Sequence, residues 1–162
     1  MIRNLIPLLS LVACGGGAGL PEATDAEEAA LALVGGSASG AAEQVSEDGH
    51  DLWEVMVTMD NGAELEVLLF VDDGALFEVK DTTGPFDYDT LDPLPGQLTY
   101  AEARDIAMGE VAGDQVAWEV KYDDGPYFYE FYIREAGDQL FEIKLWAESG
   151  EVFVVEGKDE ID

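Results

Sequence analysis

The residue types able to do chemistry in this chain are few and unevenly placed. A single cysteine, Cys14, lies in LVACGGG between an apolar run and a glycine run, and a single histidine, His50, lies in EDGHDL beside Asp48-Gly49. Carboxylates, in contrast, number 36 against seven Lys and Arg, for a formal net charge of −29. One imidazole without a second histidine or a spare thiol builds no ordinary transition-metal site. No G-x-S-x-G, H-E-x-x-H or glycine-rich phosphate loop is present, and no serine stands in a nucleophile context. His50 therefore reads as a solvent-facing turn residue. Paired carboxylates could do acid–base work, but among 36 any two can approach, so a glycosidase-like pair carries no information. The expectation is a protein without enzymatic activity, catalytic residues or cofactor. Asp87, Asp89 and Asp92 alternate in DYDTLD, and hard cations want several oxygen ligands. Neither the sharp-turn glycine nor the closing glutamate of a calcium loop follows. The segment reads as a solvated connector, with a weak calcium site as the alternative.

Cys14 is explained by what precedes it. Arg3 is the one charge at the start, and residues 5–13 (LIPLLSLVA) form an uncharged apolar run too short to span a bilayer as a helix. That is the layout of a secretory signal. Leu11-Val12-Ala13-Cys14 resembles the lipobox of bacterial lipoproteins. The resemblance implies cleavage after residue 13, a diacylglyceryl thioether on Cys14, and an extracytoplasmic protein held by its acyl chains, since two or more chains anchor firmly where one is marginal. Gly15 stands where an Asp would mark inner-membrane retention, so an outer-membrane location is expected if the organism has two membranes. Residues 14–23, rich in glycine, form a flexible tether.

The charge excludes nucleic acid, whose phosphates need a basic footprint, and it disfavours anionic headgroups. Yet 48% of the residues are hydrophobic and 10% aromatic, enough apolar surface to offset the ordering entropy of a folded core.

The chain also repeats itself. WEVMVTMDNGAELEVLLFVDDGALFEV from Trp53 aligns without a gap with YEFYIREAGDQLFEIKLWAESGEVFVV from Tyr129. Glu54 matches Glu130, Val55 matches Phe131, Glu66 matches Glu142 and Gly74 matches Gly150. Upstream, TDAEEAALAL from Thr24 matches TYAEARDIAM from Thr99 at an offset one residue shorter. Thr24 with Glu27 and Thr99 with Glu102 have the spacing of a helix capping box. Ala26, Ala29, Ala30 and Leu33 form one apolar helical face; Ala103, Ile106, Ala107 and Val111 form the other. Gly35-Gly36 and Gly113 stop the helices. Extended runs follow at 41–47, 52–59, 64–71 and 76–79, then at 115–122, 127–134, 139–147 and 152–156, separated by Asx-Gly and Ser-Gly turn dipeptides. The fold class expected is α+β: two repeats, each one helix packed on a three- to four-stranded antiparallel sheet.

A helix opening Thr-x-x-Glu-Ala or Thr-x-Ala-Glu, followed by hairpins carrying Trp53-Glu54-Val55 or Tyr129-Glu130-Phe131 and the late Asp73-Gly74 or Ser149-Gly150 turns, resembles the PepSY domain of peptidase propeptides. The resemblance divides the chain into a signal at 1–13, a tether at 14–23, a first PepSY-like repeat at 24–81, a linker at 82–98 and a second repeat at 99–159. It implies a non-catalytic module that binds proteins and, in propeptides, restrains a peptidase. Both faces of the 127–134 strand are apolar, and the favoured explanation is that its second face packs against the other repeat. The alternatives are that the aromatic cluster of Trp118, Tyr127, Tyr129, Phe131 and Tyr132 is an open protein-binding patch, or that an edge strand pairs with an extended peptide. The function expected is a lipid-anchored protein-binding module of the bacterial envelope. Its partner would be an envelope or secreted protein, with a peptidase as the leading candidate. The alternative is an acidic surface lipoprotein that binds divalent cations.

Overall fold

The computed structural model describes residues 19–88 and 90–161, so Cys14, Asp89 and the whole of the predicted signal lie outside the described residues. In chain order the elements are α1 (Ala23–Val34), β1 (Ser37–Ala38), β2 (Glu43–Glu47), β3 (His50–Thr58), β4 (Glu64–Phe70), β5 (Leu76–Asp81), α2 (Tyr100–Glu110), β6 (Asp114–Tyr122), β7 (Tyr127–Arg134), β8 (Leu140–Trp146) and β9 (Val152–Lys158). The strands form where apolar residues alternate with polar ones. Val55 and Val57 of β3 are sealed from solvent, while Glu54, Met56 and Thr58 between them are half-exposed.

These strands form one sheet, not two facing ones. Its order is β1-β3-β4-β5-β6-β7-β8-β9, with β2 also on β3, and every pairing is antiparallel. The seam is β5–β6, where Val79 lies opposite Val120. The second face of β7 therefore does not meet the other half of the chain: the halves lie side by side. Both helices lie on the same face, α1 over β3 and β4 and α2 over β7 and β8. Beneath them Val55, Val67, Leu69, Val79, Val120, Phe131, Ile143 and Leu145 are fully enclosed. Each such side chain contributes about 1.5–3 kcal/mol of transfer free energy.

The pairing register of the two halves is the same at the constant offset seen in the sequence. Leu52↔Phe70, Val55↔Val67 and Val57↔Leu65 in β3–β4 have as counterparts Phe128↔Trp146, Phe131↔Ile143 and Ile133↔Phe141 in β7–β8. Even the irregularity recurs. The β4–β5 register shifts between Leu68 and Leu69, and the β8–β9 register between Lys144 and Leu145. The turns leading into β5 and β9 also share their chemistry. Asp73 Oδ1 accepts from the Ala75 amide at 2.9 Å, and Ser149 Oγ accepts from the Glu151 amide at 3.2 Å.

Two local expectations differ between the halves. Thr99 caps α2 with the reciprocal Glu102 bond, as its spacing predicts. Thr24 does not cap α1. The helix begins two residues earlier than a Thr24 cap would place it, with Glu22 at the N-cap and no side-chain cap bond, and Glu27 is drawn off to the Ala42 amide at 3.1 Å. The 82–98 connector is more than a spacer: Leu91 and Leu94 enter the main core, and the Tyr88 hydroxyl donates to Asp81 at 2.6 Å. Gly113, after α2, sits where a Cβ would come within 2.3 Å of the Arg134 carbonyl oxygen, so the close approach of that loop to β7 requires glycine.

Candidate protein-interaction site

The face of the sheet opposite the helices carries the unusual chemistry. Strand alternation places Glu43, Glu54 and Glu66 on one face of β2, β3 and β4, with Glu43 directly opposite Glu54 and Glu66 on the diagonal, opposite Met56. The same alternation places Glu119, Glu130 and Glu142 on this face of β6, β7 and β8, with Glu119 directly opposite Glu130 and Glu142 on the diagonal, opposite Tyr132. All four lysines of the chain, Lys80, Lys121, Lys144 and Lys158, stand among these carboxylates. Lys80 reaches Glu66 at 2.8 Å and Glu78 at 3.3 Å; Lys121 reaches Glu47 at 2.9 Å and Glu78 at 3.3 Å. Lys144 bridges Glu130 at 2.7 Å and Glu142 at 3.2 Å, and Lys158 lies 3.5 Å from Glu142. Glu78, Glu130 and Glu142 are buried, which is tolerable because each has an ammonium group beside it.

Proton affinities follow this layout. Burial, with Glu78 and Glu130 adding repulsion, pushes the Glu119 carboxyl up to about 8. Burial also raises Glu130, and its hydrogen bond with Glu142 adds to the rise. For Glu142 burial again opposes ionisation, but hydrogen bonds from Glu130 and Lys144 outweigh it and hold the carboxyl low. Around these groups runs an open groove of about 670 Å³, lined among others by Glu78, Lys121, Phe128, Tyr132 and Ile161.

Beside the charged rows lie two aromatic corners at equivalent positions. In the first half Phe77 packs with Leu52 and Leu68, meets Phe70 edge to face at 5.4 Å, and is roofed by Lys121 at 5.1 Å. Tyr122 of β6 closes the corner against Phe70 at 5.5 Å. In the second half Phe153 stacks on Trp146 at 4.3 Å and meets Phe128 at 6.1 Å. Among the described residues no ring of a further strand closes that corner. Phe77 is 2% exposed, whereas Phe153 is 42% exposed and Val155, on the same strand, 46%. The cause is topological: β5 has β6 along its outer edge, and among the described residues β9 has no strand beyond it.

The residues singled out in the sequence fall elsewhere. Trp118, Tyr129 and Phe131 are core, and Tyr132 is buried beside Ala117 and Leu140. Their apolar character is thus largely accounted for by packing under α2 and the connector. Trp118 Nε1 donates to the Tyr88 hydroxyl at 3.2 Å, and the Tyr129 hydroxyl donates to the Leu98 carbonyl at 2.9 Å. Tyr127 is half-buried, and its hydroxyl donates to the Leu76 carbonyl at 2.5 Å, tying the halves together. His50 is not the solvent-facing residue expected. It opens β3, half-buried, with its ring 5.1 Å from Phe70. Asp87 and Asp92 are exposed, and no group of three or more His, Cys, Asp or Glu among the described residues is arranged to hold a metal ion. No described helix is long and apolar enough to cross a membrane. Sequence reasoning passed over Trp146, Phe153 and Val155. VFVVEGK reads as an ordinary strand.

The second half, with its capped helix, its β7–β8 hairpin and its open final strand, corresponds to a recognised unit. Residues 97–155 match the family described as "Peptidase propeptide and YPEB domain", PepSY. The matched segment lies within this half. Its bounds take in α2 and β6–β8 and stop within β9. A solved structure from Clostridium difficile 630, described as a "putative lipoprotein", is similar at 20% identity over 72% of this chain and 80% of that one, with a TM-score of 0.39. No curated protein matches the chain.

Proposed function

We propose that this protein is a non-catalytic binding module of the bacterial cell envelope, tethered by a lipid on Cys14, whose partner is an envelope or secreted protein and foremost a peptidase. The observation that carries this reading is the PepSY match at 97–155, a family described by its occurrence in peptidase propeptides. The first half is read as a second copy of the same unit, supported by the shared register and the shared register shift. The lipid reading rests on Leu11-Val12-Ala13-Cys14, and the outer-membrane placement on Gly15. The ion-paired glutamates favour a binding role over an acid–base one, because their charges are already matched by lysines.

The test is titration of the purified protein into a thermolysin-like metallopeptidase from the same organism. Saturable inhibition at about one-to-one stoichiometry is expected. Unchanged peptidase activity, together with a saturable calcium isotherm, would replace this reading with a cation-binding one. For the anchor, mass spectrometry of the native protein is expected to give an acylated Cys14, and Cys14→Ser is expected to release the protein from membranes.

A further inference from the structure

The geometry points to the outer edge of β9 as a docking edge for an extended, basic segment of the protein partner, added antiparallel as a tenth strand. The inference rests on the protein-binding reading above and names its surface. What such a segment must look like is written in the other half of the molecule, because β5, the counterpart of β9, already has its strand.

In β5–β6, Lys121 lies opposite Glu78, Val120 opposite Val79 and Glu119 opposite Lys80. Tyr122 then covers Phe70, and Lys121 covers Phe77. At the constant offset, Val79 corresponds to Val155, Lys80 to Glu156, Phe70 to Trp146 and Phe77 to Phe153. An incoming strand therefore needs an aliphatic residue opposite Val155, as Val120 is opposite Val79. It needs an aromatic against Trp146 and Phe153, as Tyr122 is against Phe70. Opposite Glu156 the sign inverts, and a cation is required where β6 supplies Glu119. Main-chain pairing along an edge supplies affinity, and alternate side chains supply specificity.

Charge selects the class of partner. Glu148, Glu151, Glu156, Asp159 and Glu160 flank or lie on β9, and the chain as a whole carries −29. A second copy is the poorer occupant. Its opposite edge is formed by β1 and β2, and the longer of these, β2, reads EQVSE and would bring Glu43 or Glu47 toward Glu156. Like charges opposed across a strand pair are destabilising. The edge is also unguarded by comparison. β2 is five residues long and charged at both ends, whereas β9 runs seven residues with Phe153 and Val155 exposed.

The experiment uses the full chain in detergent micelles and three synthetic peptides. The first copies residues 115–122 with lysine in place of Glu119 (QVAWKVKY), and the second is the unaltered QVAWEVKY. The third is the lysine peptide N-methylated at the valine between its two lysines, which removes a strand donor. The lysine peptide is expected to bind saturably, about tenfold tighter than the glutamate peptide. It should slow hydrogen exchange at amides within 152–158, and N-methylation should abolish both effects. Glu156→Lys, at an exposed position, should invert the preference between the two peptides. The proposal is overturned if the two peptides bind alike, if Glu156→Lys leaves the preference unchanged, or if exchange in β9 does not respond. It is equally overturned if the chain self-associates through this edge in a manner that Val155→Lys abolishes. A chain carrying Val155→Lys and Glu156→Lys that still inhibits the metallopeptidase overturns the edge and leaves the broader binding reading standing.

Discussion

β5 and β9 hold the same place in the two halves of this molecule, follow the same turn and share the same register shift, yet one is interior and the other is an edge. Phe77 and Phe153 are equivalent residues with opposite fates. The difference is not in the strands but in what lies beyond them: β6 lies along β5, and among the described residues no strand lies along β9. Two strands of the same register thus teach that exposure is set by neighbours in the sheet and not by local sequence. It also explains why the charged rows differ. In the first half Glu66 is matched by Lys80 directly across the β4–β5 pair. In the second, Glu142 faces Glu156 across the corresponding β8–β9 pair, and Lys144 and Lys158 make up the balance.

The largest expected effect breaks the equivalence of the aromatic pair. Phe77→Ala should destabilise the fold by about 3–5 kcal/mol, as core Phe-to-Ala changes do. Phe153→Ala should cost only about 1 kcal/mol, the worth of an aromatic stacking contact at a wet site. Urea unfolding of the two variants measures both, and equal losses would mean that β9 is covered in solution.

A second difference is in proton binding. Glu119 is held up near 8 while an unfolded glutamate titrates near 4.5, so the folded state keeps a proton that the unfolded state gives up. Stability from this group is present below about pH 4.5 and is lost as pH rises toward 8, with a slope of at most about 1.4 kcal/mol per pH unit. Glu119→Gln should flatten the decline between pH 5 and 8. A variant whose stability falls as steeply as the parent's would contradict the assignment.

The smallest contrast concerns the helix caps. Thr99→Ala removes a reciprocal capping box and should cost about 1 kcal/mol, whereas Thr24→Ala removes no cap and should cost a few tenths. Thermal unfolding of the pair distinguishes them.

These contrasts mark where the sequence was readable. Alternation of apolar and polar residues located eight of the nine strands within a few residues, since a half-buried strand must alternate. Ser37–Ala38 escaped because two residues cannot show a period. Thr-x-x-Glu was right for α2 and misleading for α1, because spacing cannot reveal that Glu27 has a competing partner at Ala42. The aromatic run at 127–132 was legible as apolar on both faces. Alternation does not say which face the helix will cover, and Tyr129 and Phe131 lie buried beneath it. The same gap hid the edge: nothing within VFVVEGK distinguishes it from LFEVKD, and only the order of strands in the sheet does.

The most direct test of the account is residue-resolved hydrogen exchange on the full chain without any peptide, comparing Leu76–Asp81 with Val152–Lys158. The predicted result is uniform protection along β5, and in β9 an alternation in which amides directed at β8 are protected and those directed outward exchange orders of magnitude faster. Uniform protection of β9, equal to that of β5, would mean that the edge is already occupied and would contradict the account.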